Sequence, residues 1–340
     1  SVIVSGQLHQ QGLQHSMRKL GNSLSADYWQ ATGLLQLAQD DTELKQMQRL
    51  INREFPAQWL SLVSPEQASG FTQQAVTAGG LNYAEAGWVN PPAWCRSIVS
   101  QLQKPPWLQT RLVALQAHQQ QWQLALAGDY AGSYVFDAVV LCNASDASHY
   151  VAGFGLPLKP IRGQVSYVKD TFAPAKVVCG DGYVTPAQDG TMAVGASYNL
   201  ASEDTQLRQQ DHLDNLQRLR QLLPGSKVSE ADICGGRVGF RATTPDYLPM
   251  LGQLADSQQM LHSFAHLRKD KNYRFKQDMP WLPGLYINAG HGSKGLITAP
   301  LCAELLAAQI AGEVLPVSCH VAAALEPNRF FLRDMMRRKR

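Results

Sequence analysis

The 340-residue sequence has six cysteines but no C-x-x-C pair. Cys95, Cys142, Cys179, Cys234, Cys302 and Cys319 are scattered, several of them in apolar runs. This spacing argues against a metal site and against a disulfide framework. It fits buried free thiols in a reducing cytoplasm. No apolar run approaches the roughly 18 residues of a membrane span, so no membrane segment is expected. The opening SVIVSGQLHQ is too short and too polar for a signal peptide. An initiator Met is also missing, which points to a segment upstream. Charge excess is small, at +3, so overall composition does not imply a nucleic-acid partner. Repeats and low-complexity tracts are absent.

What is present is an ordinary globular balance, with 45% hydrophobic and 17% charged residues over a length suited to two domains. The charges are unevenly placed. The last twelve residues, RFFLRDMMRRKR, hold six of the 30 Lys and Arg. They read either as a solvated, frayed helix or as a phosphate-contacting tail. A second charged stretch, RKDKNYRFK at 268–276, reads as a loop and mildly favours a polyanionic substrate.

Periodicity predicts a helix within residues 1–20 and a strand over 28–39. An amphipathic helix at 41–55 follows, capped by Asp40 or Asp41. A helix from about Pro92 to Gln103 has Pro91 and Pro92 in its first turn. Alternating strands follow at RLVALQAH, QWQLALAG and YVFDAVVLCNA, the last reading as buried on both faces at AVVLC (138–142). The segment 157–252 is mostly extended, broken by one helix at about 202–223. LYINA (285–289) is a final buried strand. Buried parallel-type strands at 135–143 and 285–289, with antiparallel material around them, predict two interleaved domains.

LYINA leads into G-x-G-x-x-G at Gly290, Gly292 and Gly295. A dinucleotide cradle needs a second strand with an acidic end about 20 residues on. Here one helix follows and little chain remains, so a pyrophosphate cradle is the weaker reading. A strand–glycine-turn–helix still lets backbone approach a ligand closely and aims helix N–H groups at it. The helix is expected to begin near Thr298 with Pro300 in its first turn. A flat ring that gains negative charge on reduction suits such a turn; a ligand-free strand–helix junction is the alternative.

Seven stretches in order carry a resemblance. They are AGWVNPPAWCRSIV, AVVLCNASDAS, RGQVSYV, CGDGYVTP, VGASYNLASEDT, RVGFRATTPDYLPMLG and GHGSKGLITAPLCAELLAAQ. The set resembles the FAD-dependent amino-acid oxidase superfamily, which includes glycine oxidase, sarcosine oxidase and D-amino-acid oxidase. Within it the likeness is greatest to the C-terminal oxidoreductase half of the bifunctional tRNA 5-methylaminomethyl-2-thiouridine biosynthesis family. The resemblance implies an α/β (mixed α+β) fold, in which a Rossmann-like FAD-binding domain interleaves with an antiparallel-sheet substrate domain. The family opens with a strand and G-x-G-x-x-G for the FAD pyrophosphate. No such pattern precedes Gly21, so the FAD-binding domain is expected to be incomplete. The expected division gives 1–20, 83–150 and 282–325 to FAD, and 21–82 and 155–281 to substrate. A basic tail at 326–340 completes the chain.

The implied reaction oxidises the secondary amine of a wobble-uridine 5-carboxymethylaminomethyl group. Flavin takes a hydride from the glycine methylene, and the imine hydrolyses to glyoxylate and an aminomethyl group. The partners implied are tRNA and a methyltransferase half of the same polypeptide; neither a membrane nor a metal is expected. Arg241 matches the family's carboxylate-binding arginine, since a planar guanidinium holds a carboxylate bidentately. An ordinary strand arginine paired with Asp246 is the alternative. Tyr198 is a candidate hydrogen-bond donor to substrate or else a packed aromatic. Arg162, Gly163 and Gln164 are expected near the flavin, and Asn143 and Ala144 over its adenosine half. Ser293, Lys294, Gly295 and Leu296, with Gly290, His291 and Gly292, form the turn under the ring. His291 reads more readily as structural than as a base. Two other functions stay open: oxidation of a free amine such as glycine or sarcosine, and a flavin-less RNA- or partner-binding module.

Overall fold

A computed structural model of the protein describes residues 2–337 apart from 54, 58, 170–171 and 201. Arg338, Lys339 and Arg340 of the basic tail lie outside the described residues. The chain forms two compact units, each built from separated segments. The first comprises Ser1–Asn22, Val99–Pro160 and Arg241–Arg340; the second comprises Ser23–Ile98 and Ile161–Phe240. Residues 83–98 and 241–281 therefore fall in the other unit from the one the sequence suggests. Strand pairing is the reason. Trp88–Val89 pairs with Trp29–Gln30 in the second unit, and Met250–Ala255 pairs with Trp281–Ala289 in the first.

The second unit centres on an eight-stranded sheet. Its order is Ile233–Thr243, Lys159–Lys169, Thr191–Gly195, Tyr183–Val184, Val177–Cys179, Leu34–Leu37, Gly80–Tyr83 and Ser61–Val63. Val177–Cys179 runs parallel to Leu34–Leu37, and the other registered pairs are antiparallel. The strand expected over 28–39 is split at Gly33, whose φ of 82° ends one pairing before the next begins. Asp40 caps the helix Asp41–Ile51, its carboxylate accepting from Glu43 N at 2.7 Å. Asn90 accepts from Ala93 N at 3.1 Å at the start of Pro91–Ser100. The helix expected from Ser202 begins only at Gln209. Residues 204–208 have their carbonyls drawn to the Arg162 and Gln164 side chains instead. Leu216 and Leu219 of the helix then pack with Val168, Val178 and Val194 of the sheet.

In the first unit, Thr110–His118, Gln121–Gly128 and Gly132–Phe136 form an antiparallel meander. A second three-stranded sheet has Trp281–Ala289 at its centre, antiparallel to Met250–Ala255 and parallel to Val139–Leu141. The Met250–Ala255 strand gave no alternating signal because five of its six residues are buried. Val139–Leu141 is shorter than expected and lies at the sheet edge. Val140 is 38% exposed, so the strand is not buried on both faces. Nor are the cysteines uniformly buried. Cys95, Cys142, Cys234 and Cys319 are exposed, all six are free, and Cys302 is buried.

The helix after the glycine turn, Gly295–Ala311, starts earlier than expected, and Pro300 sits inside it. With its preceding turn it is long and apolar enough to cross a membrane by length and composition, contrary to the sequence count. It serves here as a core helix. Leu301, Cys302, Leu305 and Leu306 pack with Val4 and Leu8 of the N-terminal helix Val2–Ser23 and with Val321 and Leu325. Pro300 has no N–H for the Leu296 carbonyl. The Ser16 hydroxyl donates to that carbonyl at 2.9 Å. Gly12, one turn earlier, is needed because a Cβ there would overlap the Ile297 carbonyl. Ser16→Ala is expected to cost about 1–2 kcal/mol for the lost partner. In a Pro300→Ala background, where residue 300 regains its N–H, the same change costs less. Equal losses in both backgrounds, by urea denaturation, would separate Ser16 from Pro300.

Candidate functional site

Two parallel strands of the first unit end side by side. Leu141 is in register with Ile287, and each strand then runs into a candidate segment. Val139–Leu141 leads to Asn143 and Ala144, and Trp281–Ala289 leads to the glycine turn. Ligands of open α/β sheets gather outside such carboxyl ends. Asn143 and Ala144 are both exposed, and Ala144 has a φ of 54°. A left-handed alanine is strained by roughly 1–2 kcal/mol, the kind of strain that clusters at functional turns.

The turn is built by two of its three glycines. Gly290 has a φ of 82°, and a Cβ there would stand 2.7 Å from Thr244 Cγ2. Gly292 has a φ of 58° and enters the 3-10 turn Gly292–Lys294. Gly295 is helical, with φ −57°, so its freedom is not required. The helix that follows has no side-chain cap at Lys294. Ser293, Lys294 and Leu296 are exposed around that uncapped end. A turn whose glycine is forced by close packing, followed by an uncapped helix start and one cation, offers positive potential that suits an electron-rich planar ring edge.

His291 pins the turn. Its Nδ1 is 2.9 Å from Thr298 Oγ1 and its Nε2 is 3.0 Å from Asn288 Oδ1. The Thr298 hydroxyl also donates to Lys294 O at 3.0 Å, which ties the ring to the start of the helix. Burial lowers its pKa to about 4, leaving the ring neutral. That is a structural histidine, not a base poised near neutral pH. Lys294 Nζ lies 3.5 Å from His9 Nδ1 of the N-terminal helix. Burial, and then the lysine charge, lowers His9 to about 4. Burial also lowers Lys294.

Arg241 reaches the same end of the first unit. Thr243 forms an antiparallel bridge with His291, and Arg241 is two residues, or about 7 Å of extended chain, before it. Asp246, the acid that could have neutralised Arg241, is committed elsewhere. Both its oxygens accept from Arg329 at 3.0 Å. Burial pushes the Asp246 carboxyl up, but the hydrogen bonds and charge of Arg329, together with the Leu248 and Thr244 hydrogen bonds, outweigh it and the net shift is downward. Tyr247 lies within the stretch RVGFRATTPDYLPMLG but has no role assigned to it there. It is nevertheless 75% exposed with a φ of 58°, in the turn between Thr243 and the Met250–Ala255 strand.

The second unit holds the remaining candidates. Arg162 and Gln164 are both fully buried, and Gly163 is buried between them. The Arg162 guanidinium donates to Asp204 O and Gln206 O, each at 2.7 Å, and pairs with Asp211. Gln164 Nε2 donates to Arg208 O, and its Oε1 accepts from Arg208 N. These side chains brace the 204–211 segment. Tyr198 lies between Ser197 and Asn199, whose backbones bond to Gln164 and Arg162, and it is 54% exposed.

A parallel strand pair that runs into a strained alanine and a glycine turn lets backbone come close to a nucleotide-type cofactor. Residues 5–309 match the family model described as FAD dependent oxidoreductase (DAO), and the chain belongs to that family. It is 40% identical over 347 residues to the tRNA 5-methylaminomethyl-2-thiouridine biosynthesis bifunctional protein MnmC of Pseudomonas savastanoi pv. phaseolicola. That alignment covers 97% of this chain and 51% of the relative. The MnmC of Pseudomonas aeruginosa strain PAO1 is 40% identical over 338 residues, with coverage of 97% and 51%. The chain thus spans about half the length of the curated relatives it matches. In fold it is similar to glycine oxidase from Geobacillus kaustophilus, with a TM-score of 0.74 and 18% identity over 96% of this chain and 82% of that one. Iminodiacetate oxidase from Chelativorans sp. BNC1 gives a TM-score of 0.72 at 19% identity, over 94% and 83%.

Proposed function

We propose that this chain is the oxidoreductase portion of a tRNA wobble-uridine modification enzyme. It would remove the carboxymethyl group from 5-carboxymethylaminomethyl-(2-thio)uridine. The observation that carries this reading is 40% identity, over 97% of the chain, to proteins named for 5-methylaminomethyl-2-thiouridine biosynthesis. FAD, when bound, supplies the two-electron oxidation.

The chain's residues position the reactants. Arg241 grips the substrate carboxylate, fixing the adjacent methylene. The backbone of Ser293–Gly295, with Lys294 nearby, offers positive potential to the ring edge. Asn143 and Ala144 stay candidates for the adenosine half, and Tyr198 for a hydrogen bond to substrate. The amine must be neutral when it reacts, so no dedicated acid–base pair is required. Loss of a hydride from the methylene and of a proton from the nitrogen converts the CH–NH unit to an imine. Water then splits the imine into glyoxylate and 5-aminomethyl-(2-thio)uridine. We assign the cofactor to the first unit. A methyltransferase half in a longer polypeptide is the expected partner, and a tRNA substrate places the protein in the cytoplasm.

The test adds FAD to the purified protein and records the flavin absorption bands after desalting. The loaded protein is then incubated with tRNA carrying the carboxymethylaminomethyl group, or with free glycine or sarcosine. Retained yellow colour and glyoxylate from the tRNA are expected. A protein that stays colourless with FAD loses the redox reading. Turnover of the free amino acids alone would move the substrate to a small amine.

A further inference from the structure

The two charged stretches of the sequence meet in the first unit. Met335 and Phe331 of the helix Arg329–Met336 pack in one hydrophobic cluster with Phe264, Leu267 and Phe275. The C-terminal helix and the 264–279 loop are therefore one module with a shared apolar base. Residues 264–279 and 329–337 together hold eight of the 30 Lys and Arg but three of the 27 Asp and Glu, a net of +5 in a chain that totals +3. The rest of the chain is thus net negative, and this module is the positive pole.

Its cations divide by role. Arg329 is bound to Asp246 and to the Leu248 carbonyl, and the Arg333 guanidinium lies over the Phe330 ring. Those two hold the module together, so Arg329–Met336 is a packed helix and not a frayed one. Lys269, Lys271, Arg274 and Lys276 are exposed, and no ion pair among the described residues engages them. Asp270, the acid among them, accepts from Asn272 N at 2.9 Å and shapes the turn. Tyr273, between these cations, is 44% exposed and stacks on His266 with ring centroids 4.8 Å apart. Four unpaired cations on a packed base, interleaved with an exposed stacked aromatic, match the needs of an RNA strand. Cations gain affinity by releasing phosphate counterions, and aromatic faces accept unstacked bases.

We infer that the 264–279 loop, backed by the C-terminal helix, is the surface on which the chain docks the phosphate backbone of tRNA. This rests on the proposed function for the substrate's class. It adds a docking surface formed by residues other than those of the glycine turn and Arg241. Backbone contacts of this kind position the RNA without reading its sequence.

The experiment measures filter binding of an unmodified tRNA transcript to the full chain at several salt concentrations. The fourfold variant K269Q/K271Q/R274Q/K276Q is compared with wild type, and its melting curve checks its fold. The variant is expected to bind at least tenfold more weakly, with a slope of log affinity against log salt shallower by about 2–4. K45Q/R49Q, on the helix Asp41–Ile51, should leave the slope where it was. A fourfold variant with wild-type affinity and slope overturns the inference. So does a wild type that sediments with phosphatidylserine vesicles yet ignores tRNA. Oxidation of a free N-carboxymethyl amine reads the proposed chemistry by itself. If that oxidation is absent while the salt slope still depends on the four cations, the chemistry fails and the docking surface stands.

Discussion

Arg162→Ala is expected to cost the second unit about 3–5 kcal/mol of stability, the usual result of stripping one partner from a buried ion pair. The guanidinium is fully buried, and its removal would leave the 8%-exposed Asp211 without its counter-charge. The carbonyls of Asp204 and Gln206 would lose their donors as well. Arg162→Lys should recover only part of the loss, because one ammonium cannot span four acceptors set around a planar fork. Arg162→Met combined with Asp211→Leu should cost less than the alanine variant, since no unpaired charge remains inside. Urea denaturation of the three variants tests this. A loss below about 1 kcal/mol for Arg162→Ala would mean that water or another group takes its place. The loop at 204–208 should also become protease-sensitive before the rest of the unit, because the brace is what fixes it.

This brace shows what the sequence concealed. R-G-Q after a proline is legible as a strand entry, but not as an internal clamp. Its partners lie 42–49 residues away, in a stretch whose own pattern favours helix. Local signals did survive where the cause was local. Asp40 before an amphipathic run predicted a capped helix, and Pro91–Pro92 predicted a first turn. Failures came where a distant group decided the outcome. Pro300 is tolerated inside a helix because Ser16, 280 residues earlier, donates to the orphaned carbonyl. Val140 looked buried because apolar runs usually are, but its strand lies at a sheet edge. The glycine turn and its neighbourhood were legible, since positive φ at Gly290 and Gly292 follows from residue type. Ala144 and Tyr247 adopt the same backbone region with nothing in their residue type to announce it. Asp246, the alternative partner for Arg241, accepts from Arg329, 83 residues away, which no local pattern announces.

Arg241→Ala should lower kcat/KM for an N-carboxymethyl amine by roughly 10²–10³-fold. A desolvated hydrogen-bonded charge pair is worth about 2–5 kcal/mol when one partner is removed, and each 1.36 kcal/mol is tenfold in rate. The loss should appear in kcat as well as KM, because the carboxylate grip also orients the methylene that is oxidised. Arg241→Lys restores the charge but not the two parallel donors, so about a tenfold deficit should persist. Flavin content should not change, since no cofactor contact is assigned to this side chain. The decisive comparison is between the carboxylate substrate and its neutral carboxamide. Wild type should strongly prefer the carboxylate, and Arg241→Ala should nearly abolish the preference while its rate on the amide changes little. If Arg241→Ala keeps that preference, the carboxylate is held elsewhere. The nearness of Arg241 to His291 through the Thr243 bridge would then be a matter of strand pairing alone.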